Sequence, residues 1–192
     1  MATTRLSARQ RLLNVASDLF YQEGIRSVSM DKIVEKSGVS KATLYRHFPT
    51  KDDLIVTYLK EHDHHIWHHY DEAIHQHEGS AKAQLYAVID ATIELLKPKY
   101  YRGCPFLNAL AEFPEENHPA HQLALEYNNQ LRLRLSHLSQ KAGVRDDSWT
   151  DQLLMVINGA YSSVPVLGFE GSAVQLKTIT TQLIEQKLAD RN

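Results

Sequence analysis

Apolar residues recur every three or four positions along most of the chain, and no stretch alternates as a β-strand does. The first such run lies between Ser7, which can cap a helix, and Gly24, which can end one. Eight more runs follow, at residues 29–37, 41–47, 51–77, 81–96, 104–113, 120–142, 149–164 and 173–188. The pattern predicts an all-α fold of about nine helices, with no strand.

Residues 29–48 contain two short helices separated by a tight turn. Ser29 and Ser40 each precede a helix, where a serine hydroxyl can accept a hydrogen bond from a free backbone N–H. Between them, Gly38 supplies the left-handed backbone conformation that a tight turn requires. The spacing is that of a helix-turn-helix.

The second helix of this pair has an outward face suited to DNA. Leu44 and Phe48 lie four residues apart and point inward. The positions left facing outward are Lys41, Ala42, Thr43, Tyr45 and Arg46. Basic side chains can contact guanine or phosphate, alanine and threonine methyl groups can contact thymine, and a tyrosine hydroxyl can contact phosphate. We therefore expect this helix to enter a major groove.

The same stretch resembles the TetR family of bacterial transcriptional regulators. The matching residues are Ser29, Ile33, Gly38, Val39, Ser40, Thr43, Leu44, Tyr45, His47, Phe48, Lys51 and Leu54. Val34, Ser37 and Ala42 depart from the commoner residues of the family. The resemblance implies an N-terminal DNA-binding domain, residues 1–50, on a larger C-terminal effector-binding and dimerisation domain, residues 51–192. It adds Ser29, Ser40, His47 and the phosphate-contacting Lys51 to the predicted DNA-binding residues.

Charge and composition agree with a DNA-binding head. Residues 1–60 hold ten Lys and Arg against six Asp and Glu, a net +4, whereas the remainder has a net −6. A basic end on an acidic body suits a polyanionic partner. The single cysteine, Cys104, favours a reducing compartment. We find no signal-peptide pattern and no uninterrupted apolar span, so we expect a cytoplasmic protein with no membrane partner.

The last two predicted helices carry apolar stripes that can pair. The residues of these stripes are Leu153, Ile157, Tyr161 and Val164 in one helix, and Leu176, Ile179 and Leu183 in the other. Such a pair can complete the core of one protomer or form a four-helix seam with a second copy. Periodicity leaves both open. The family resemblance implies the second, and with it a homodimer on a pseudo-palindromic operator.

A pocket for a small-molecule effector is expected between the long helix, residues 51–77, and the short helix, residues 104–113. Its predicted lining is His62, Ile66, Trp67, His69, Tyr70, Cys104, Phe106, Leu107, Asn108, Leu110 and Tyr127. This composition favours a mostly apolar ligand oriented by one or two hydrogen bonds. A repressor released from its operator by such a ligand is the leading hypothesis, and no cofactor is expected.

Residues 61–77 hold seven of the eleven histidines and suggest alternatives. The pairs His64/His68 and His65/His69 have the i, i+4 spacing of metal ligands. The helical wheel places His64 and His68 in solvent, and it places His62 and His69 beside the inward face. A metal- or pH-responsive regulator using the His62–His69 region is thus one alternative, and a ligand-independent DNA-binding factor is another. No nucleophile motif, phosphate loop or catalytic acid/base pair is present, so we expect no enzyme.

Overall fold

The computed structural model describes residues 6–97 and 101–189, and these residues form α-helices without a strand. The helices are α1 (Ala8–Glu23), α2 (Met30–Ser37), α3 (Lys41–His47), α4 (Lys51–His75), α5 (Ala81–Leu95), α6 (Pro105–Glu112), α7 (Pro119–Lys141) and α8 (Asp147–Ala189). The all-α prediction is confirmed. The described residues contain one helix fewer than expected because α8 covers both of the last two predicted helices.

Helix α8 accounts for this difference in number, because it joins two helical segments across a residue that is not helical. Pro165 and Gly168 were expected to end one helix before the next began. Instead α8 continues past Pro165 and departs from helical geometry at Gly168 (φ 72°, ψ 170°). Pro165 has no N–H to donate to the carbonyl of Tyr161, four residues earlier. The hydroxyl of Tyr101 donates to that carbonyl instead, at 3.1 Å. The backbone is therefore interrupted without an intervening loop.

The described residues form two compact units. One unit comprises residues 6–62 together with Pro105–Leu125, and the other comprises residues 63–97, 101–104 and 126–189. The expected functional boundary after residue 50 does not coincide with this division, because the first half of α4 and all of α6 belong to the first unit.

In the first unit, α1 packs against α2 and α3. Its core is made of apolar side chains that are almost completely buried: Leu12, Leu13, Ala16, Phe20, Ile33, Leu44 and Phe48. Thr50 and Asp53 form a capping box at the start of α4. The amide of Asp53 donates to Thr50 Oγ1 (3.1 Å), and the amide of Thr50 donates to Asp53 Oδ2 (2.9 Å). The turn between α3 and α4 is thus held by its own side chains.

In the second unit, α5 packs against α8, and this packing corrects part of the predicted dimer interface. Leu153 and Ile157 are 0% exposed within a single protomer, and Tyr161 and Leu176 are also buried. These four side chains belong to the core of the protomer and cannot reach a partner. Val164 and Leu183 are half-buried, and Ile179 is exposed. The apolar stripes predict burial correctly, but they do not say which surface buries them.

Part of α8 also meets the length and composition criteria for a membrane-spanning helix, among the residues that the structure describes. The mean hydropathy of its most apolar stretch is 1.3, and only 22% of that stretch is buried. This single helix is weak evidence for a membrane span, since a helix that packs against another protein can have the same composition. The interruption at Gly168 adds to the case against a continuous span.

The turn between α2 and α3 yields a stability prediction. Gly38 has φ 62°, and no atom lies within 4 Å of a Cβ added there. Gly38→Ala should therefore lower the free energy of unfolding by about 1 kcal/mol through backbone strain alone. Gly38→Asn should cost less, because asparagine tolerates the left-handed conformation. Urea unfolding at one fixed protein concentration measures both, and a Gly38→Ala variant as stable as the parent would contradict the prediction.

Candidate functional site

Helices α2 and α3 are positioned by the local interactions that the sequence predicts. The Ser29 hydroxyl accepts a hydrogen bond from the amide of Lys32 at 3.2 Å. The Ser40 hydroxyl accepts one from the amide of Thr43, also at 3.2 Å. Gly38 is left-handed between them. Since α3 has only seven residues, this cap and the burial of Leu44 account for much of its stability.

The exposed side of α3 carries most of the predicted DNA-contacting residues. Lys41, Ala42, Tyr45 and Arg46 are exposed, whereas Thr43 and His47 are half-buried. Tyr45 is 42% exposed. One face of a short helix thus presents two cations, a methyl group and a phenol.

Lys41 is not free on this face. Its Nζ lies 2.6 Å from Asp31 Oδ1, on α2, and the hydrogen bond to Asp31 raises the pKa of Lys41. Both side chains are well exposed, so the ion pair is weak and can exchange for a contact to DNA. The pair nevertheless orients the lysine along the surface of the helix-turn-helix.

Thr43 uses its hydroxyl within the protein. The Ser40 hydroxyl donates to Thr43 Oγ1 at 2.9 Å, in addition to capping the helix. This contact holds the threonine in one orientation. The methyl group and the hydroxyl hydrogen are the parts of Thr43 that could contact a base.

Lys51 occupies a position different from the one that a simple phosphate contact suggests. Its Nζ donates to the backbone carbonyl of Arg26 at 3.1 Å and lies 5.9 Å from the centre of the Phe20 ring. Burial lowers the pKa of Lys51. The ammonium group has three hydrogens, so this bond leaves donors that could contact a phosphate, and the predicted role of Lys51 in DNA binding stays a prediction.

The second unit contains a buried group of hydroxyls. The Tyr70 hydroxyl lies 3.0 Å from Thr92 Oγ1 and 3.5 Å from the Tyr161 hydroxyl. Thr92 donates its own proton to the carbonyl of Val88, at 2.8 Å, so Tyr70 must be the donor to Thr92. In its contact with the Tyr161 hydroxyl, the Tyr70 oxygen is then the acceptor. Burial raises the pKa of both tyrosines, which keeps the phenols neutral.

Trp67 lies beside this group and is held from several sides. Its Nε1 donates to Asp63 at 2.7 Å, and its ring lies 5.3 Å from the ring of Tyr127. The Arg134 guanidinium is 4.2 Å from the centre of the tryptophan ring and pairs with Asp71. A cavity of about 10 Å³ adjoins them, lined by Trp67, Tyr70, Ile74, Val88, Leu131, Arg134 and Leu135. It has room for about one water molecule.

The predicted effector-binding residues divide between the two units. His62, Phe106, Leu107, Asn108 and Leu110 lie in the first, and Ile66, Trp67, His69, Tyr70, Cys104 and Tyr127 lie in the second. Ile66, Trp67, Tyr70, Cys104, Phe106 and Tyr127 are buried, as a pocket lining requires. His62, His69, Leu107, Asn108 and Leu110 are half-buried.

Sequence analysis missed three polar groups in the second unit. They are Thr92, the Tyr161 hydroxyl and Arg134. Thr92 could have been found, because it stands four residues after Val88 and four before Leu96 on the apolar side of α5. Tyr161 was assigned to the dimer interface by its apolar neighbours. Arg134 carries no local signal, since its contact with Trp67 joins distant parts of the chain.

The histidine-rich part of α4 behaves as the helical wheel predicts. His64, His65, His68 and His75 are exposed. His62 packs edge-on against Tyr58, with ring centres 4.8 Å apart, and His69 Nε2 lies 3.2 Å from the carbonyl of Ala91. In residues 6–97 and 101–189, no three His, Cys, Asp or Glu side chains form a group able to hold a metal ion.

Two family models match the chain. Residues 12–57 match the model described as bacterial regulatory proteins, tetR family, and residues 81–161 match the one described as tetracyclin repressor-like, C-terminal domain. The first match contains α2, α3 and the first turn of α4. The second contains α5, α6, α7 and the start of α8.

Solved structures extend the similarity over nearly the whole chain. SCO4454, a TetR-family transcriptional regulator from Streptomyces coelicolor, has a TM-score of 0.88 and 33% identity over 95% of this chain and 89% of its own. A putative regulator from Streptomyces avermitilis shares the fold, with a TM-score of 0.80 and 24% identity over 95% of this chain and 98% of its own.

Among curated relatives, an HTH-type transcriptional regulator of Staphylococcus aureus is 41% identical over 54 residues, which are 28% of this chain. The alignment spans only 29% of the length of that relative.

The position of Thr43 gives a test of base readout. Thr43→Ser keeps the hydroxyl that bonds Ser40 and removes the methyl group, whereas Thr43→Val does the reverse. We expect Thr43→Ser to relax the preference for thymine at one base pair. The loss of discrimination should be about 1 kcal/mol, the lower end of the range for one mismatched base pair. Thr43→Val should keep that preference. Selection of binding sites from random DNA measures both, and relaxation in the valine variant alone would assign the readout to the hydroxyl.

Proposed function

Because the chain belongs to the TetR family of transcriptional regulators, we propose that it is a homodimeric repressor that a small, mostly apolar effector releases from its operator. The protein acts in the cytoplasm on a pseudo-palindromic DNA duplex. It is a DNA-binding regulator and not an enzyme. Membership of the TetR family supports DNA binding directly. Features of the fold support dimerisation, effector binding and release from the operator.

The exposed face of α3 is the observation that carries DNA binding. Lys41 and Arg46 place positive charge on a helix that is capped at Ser40 and anchored by Leu44. Side chains on such a rigid short helix reach base edges with little loss of conformational entropy on binding. Tyr45 and the half-buried His47 lie on the same helix and suit phosphate contacts.

Dimerisation is supported by apolar side chains that α8 leaves exposed. These are Met155, Val166, Leu167, Val174 and Ile179. In the first half of the helix, Met155, Gly159, Ser162 and Val166 follow one another at intervals of four, three and four, and all are exposed. Small residues between two apolar ones let a partner helix approach closely. We therefore move the proposed interface from the buried stripe to this exposed one.

Effector binding is supported by the buried hydroxyls of Tyr70, Thr92 and Tyr161. Polar groups in a core are unfavourable unless they are hydrogen-bonded, so a core built for stability alone gains little from them. They place a few polar groups among apolar side chains in the second unit. Ligand pockets have this composition. An effector with one hydrogen-bond donor could take the place of Tyr161 as the donor to the Tyr70 oxygen.

The size of the cavity connects effector binding to release from DNA. With about 10 Å³ of free space beside Trp67 and Tyr70, no effector fits without moving side chains or helices. A ligand that binds only an enlarged state shifts the population toward that state. The two recognition helices of a dimer must sit about 34–36 Å apart to contact successive major grooves, so a small change in their separation weakens binding.

Binding-site selection from random DNA, followed by an interface variant, tests the DNA-binding dimer. The wild-type protein should select an inverted repeat. Met155→Glu places a charge at a side chain that is 69% exposed, and it should lower both the mass in solution and the operator affinity, by about tenfold or more. Analytical ultracentrifugation and fluorescence anisotropy provide the two measurements.

Leu133→Glu is the matched control, because Leu133 is 64% exposed but lies on α7. It should leave mass and affinity unchanged. A Met155→Glu protein that stays dimeric would show that the exposed stripe of α8 is not the interface, and selection of a site without two-fold symmetry would contradict the dimeric operator complex.

A thermal-shift screen of apolar, aromatic, charged and metal ligands tests the effector proposal. Apolar or aromatic compounds with one donor should raise the melting temperature, and Tyr70→Phe should weaken their binding about five- to tenfold by removing the acceptor. The variant should fold, since Thr92 keeps its bond to Val88. Tyr86→Phe is the control, because Tyr86 bonds Glu185 at the surface.

Stabilisation by metal alone, lost in His62→Ala and His69→Ala, would replace this proposal with a metal-responsive regulator. Operator binding that no compound alters, in a protein that no compound stabilises, would favour a ligand-independent factor.

A further inference from the structure

We propose that Glu112 is a positioning residue for DNA binding, which fixes the loop between α1 and α2 through that loop's backbone. Glu112 is the last residue of α6 and lies far along the chain from the helix-turn-helix. Both belong to the same compact unit. The contact provides a physical connection between α6 and the segment that leads into α2.

The Glu112 carboxylate uses both of its oxygens on successive amides. The amide of Ile25 donates to Oε1 at 3.0 Å, and the amide of Arg26 donates to Oε2 at 2.7 Å. These two residues follow Gly24, whose φ of 93° ends α1 and turns the chain. The two charge-assisted hydrogen bonds therefore hold the loop immediately after the residue at which the chain turns.

The stability of α6 itself does not explain a glutamate at this position. The C-terminal end of a helix carries partial negative charge, so a carboxylate there is unfavourable for the helix. Ile25, in contrast, is 1% exposed, and its amide needs an acceptor inside the protein. Glu112 satisfies the loop at the expense of its own helix. A local rule broken in this way is typical of a functional contact.

The backbone carbonyl of Arg26 also forms a hydrogen bond. Lys51, in the first turn of α4, donates to the Arg26 carbonyl at 3.1 Å. The Arg26 guanidinium also pairs with Glu115, at 2.8 and 3.0 Å. The peptide groups on both sides of one loop residue are thus fixed by α4 and by α6, and the side chain adds a third, more exposed contact.

This loop leads directly into the DNA-binding helices. Ser29, the cap of α2, comes three residues after Arg26, and Val28 between them is 1% exposed. A shift of α6 must either carry the loop with it or break the bonds of Glu112. By linkage, a change at the helix-turn-helix on binding DNA must also alter the stability of α6.

Hydrogen exchange on the full-length dimer, with and without the selected operator, tests this inference, which rests on the DNA binding proposed above. Without DNA, Glu112→Ala should speed exchange of the Ile25 and Arg26 amides about tenfold or more, since both lose a charged acceptor. Glu112→Gln keeps one oxygen acceptor, so its exchange rates at these amides should lie between those of the wild-type protein and Glu112→Ala. Glu115→Gln is the control: it removes the charge that pairs with the Arg26 guanidinium and should leave both amides protected.

The positioning role is measured by operator affinity at a temperature where every variant is folded. Glu112→Ala should lower it about fivefold or more without changing the salt dependence, because no phosphate contact is lost. Operator binding should slow exchange in residues 105–112 of the wild-type protein but not of Glu112→Ala.

Unchanged exchange at Ile25 and Arg26 in Glu112→Ala would overturn the contact. Faster exchange with wild-type operator affinity would overturn the positioning role. Failure of the wild-type protein to select any DNA site would instead refute DNA binding, so the two failures are distinguishable.

Discussion

A seven-residue helix is too short to be stable by itself, and the DNA-binding part of this protein is organised around that constraint. Helix α3 is stabilised by the Ser40 cap on its first turn and by the complete burial of Leu44. Gly38 makes the turn that leads into it. These supports come from its inner side and its ends, and they leave the outer side free for bases and phosphates. Rigidity and exposure, which usually oppose each other, are combined in one element.

Features that depend on neighbouring residues could be predicted from the sequence. The caps at Ser29 and Ser40 and the turn at Gly38 are all present, because each depends on residues within a few positions. Burial was predictable as well, since Leu153 and Ile157 are indeed inside. What the sequence could not decide is whether a stripe is buried by its own protomer or by a second copy, since both require the same residues. The contacts of Glu112 and Arg134 join parts of the chain that no local pattern relates.

The second unit differs from the first in how it is filled. The DNA-binding core is apolar, whereas the bundle around Tyr70 contains hydroxyls that satisfy one another in a defined order, from Tyr70 to Thr92 to the carbonyl of Val88. In this order Tyr70 accepts from Tyr161, and almost no space is left beside it. The surroundings of Tyr70 are therefore closed, so the effector proposed above would have to displace protein atoms to enter there. A ligand that binds only the displaced state shifts the population toward that state.

The bonds of Glu112 to the loop between α1 and α2 are made to amide hydrogens and not to side chains. Every amino acid except proline carries such a hydrogen, so the loop at Ile25 and Arg26 can change its side chains during evolution without losing the connection. Helices α1 to α3 with different base preferences could then be exchanged beside α6, provided that the path of the loop and a carboxylate at position 112 are kept. In such a chimaera the junction with α6 would be specified by backbone geometry, and the base preference could diverge while α6 stays the same.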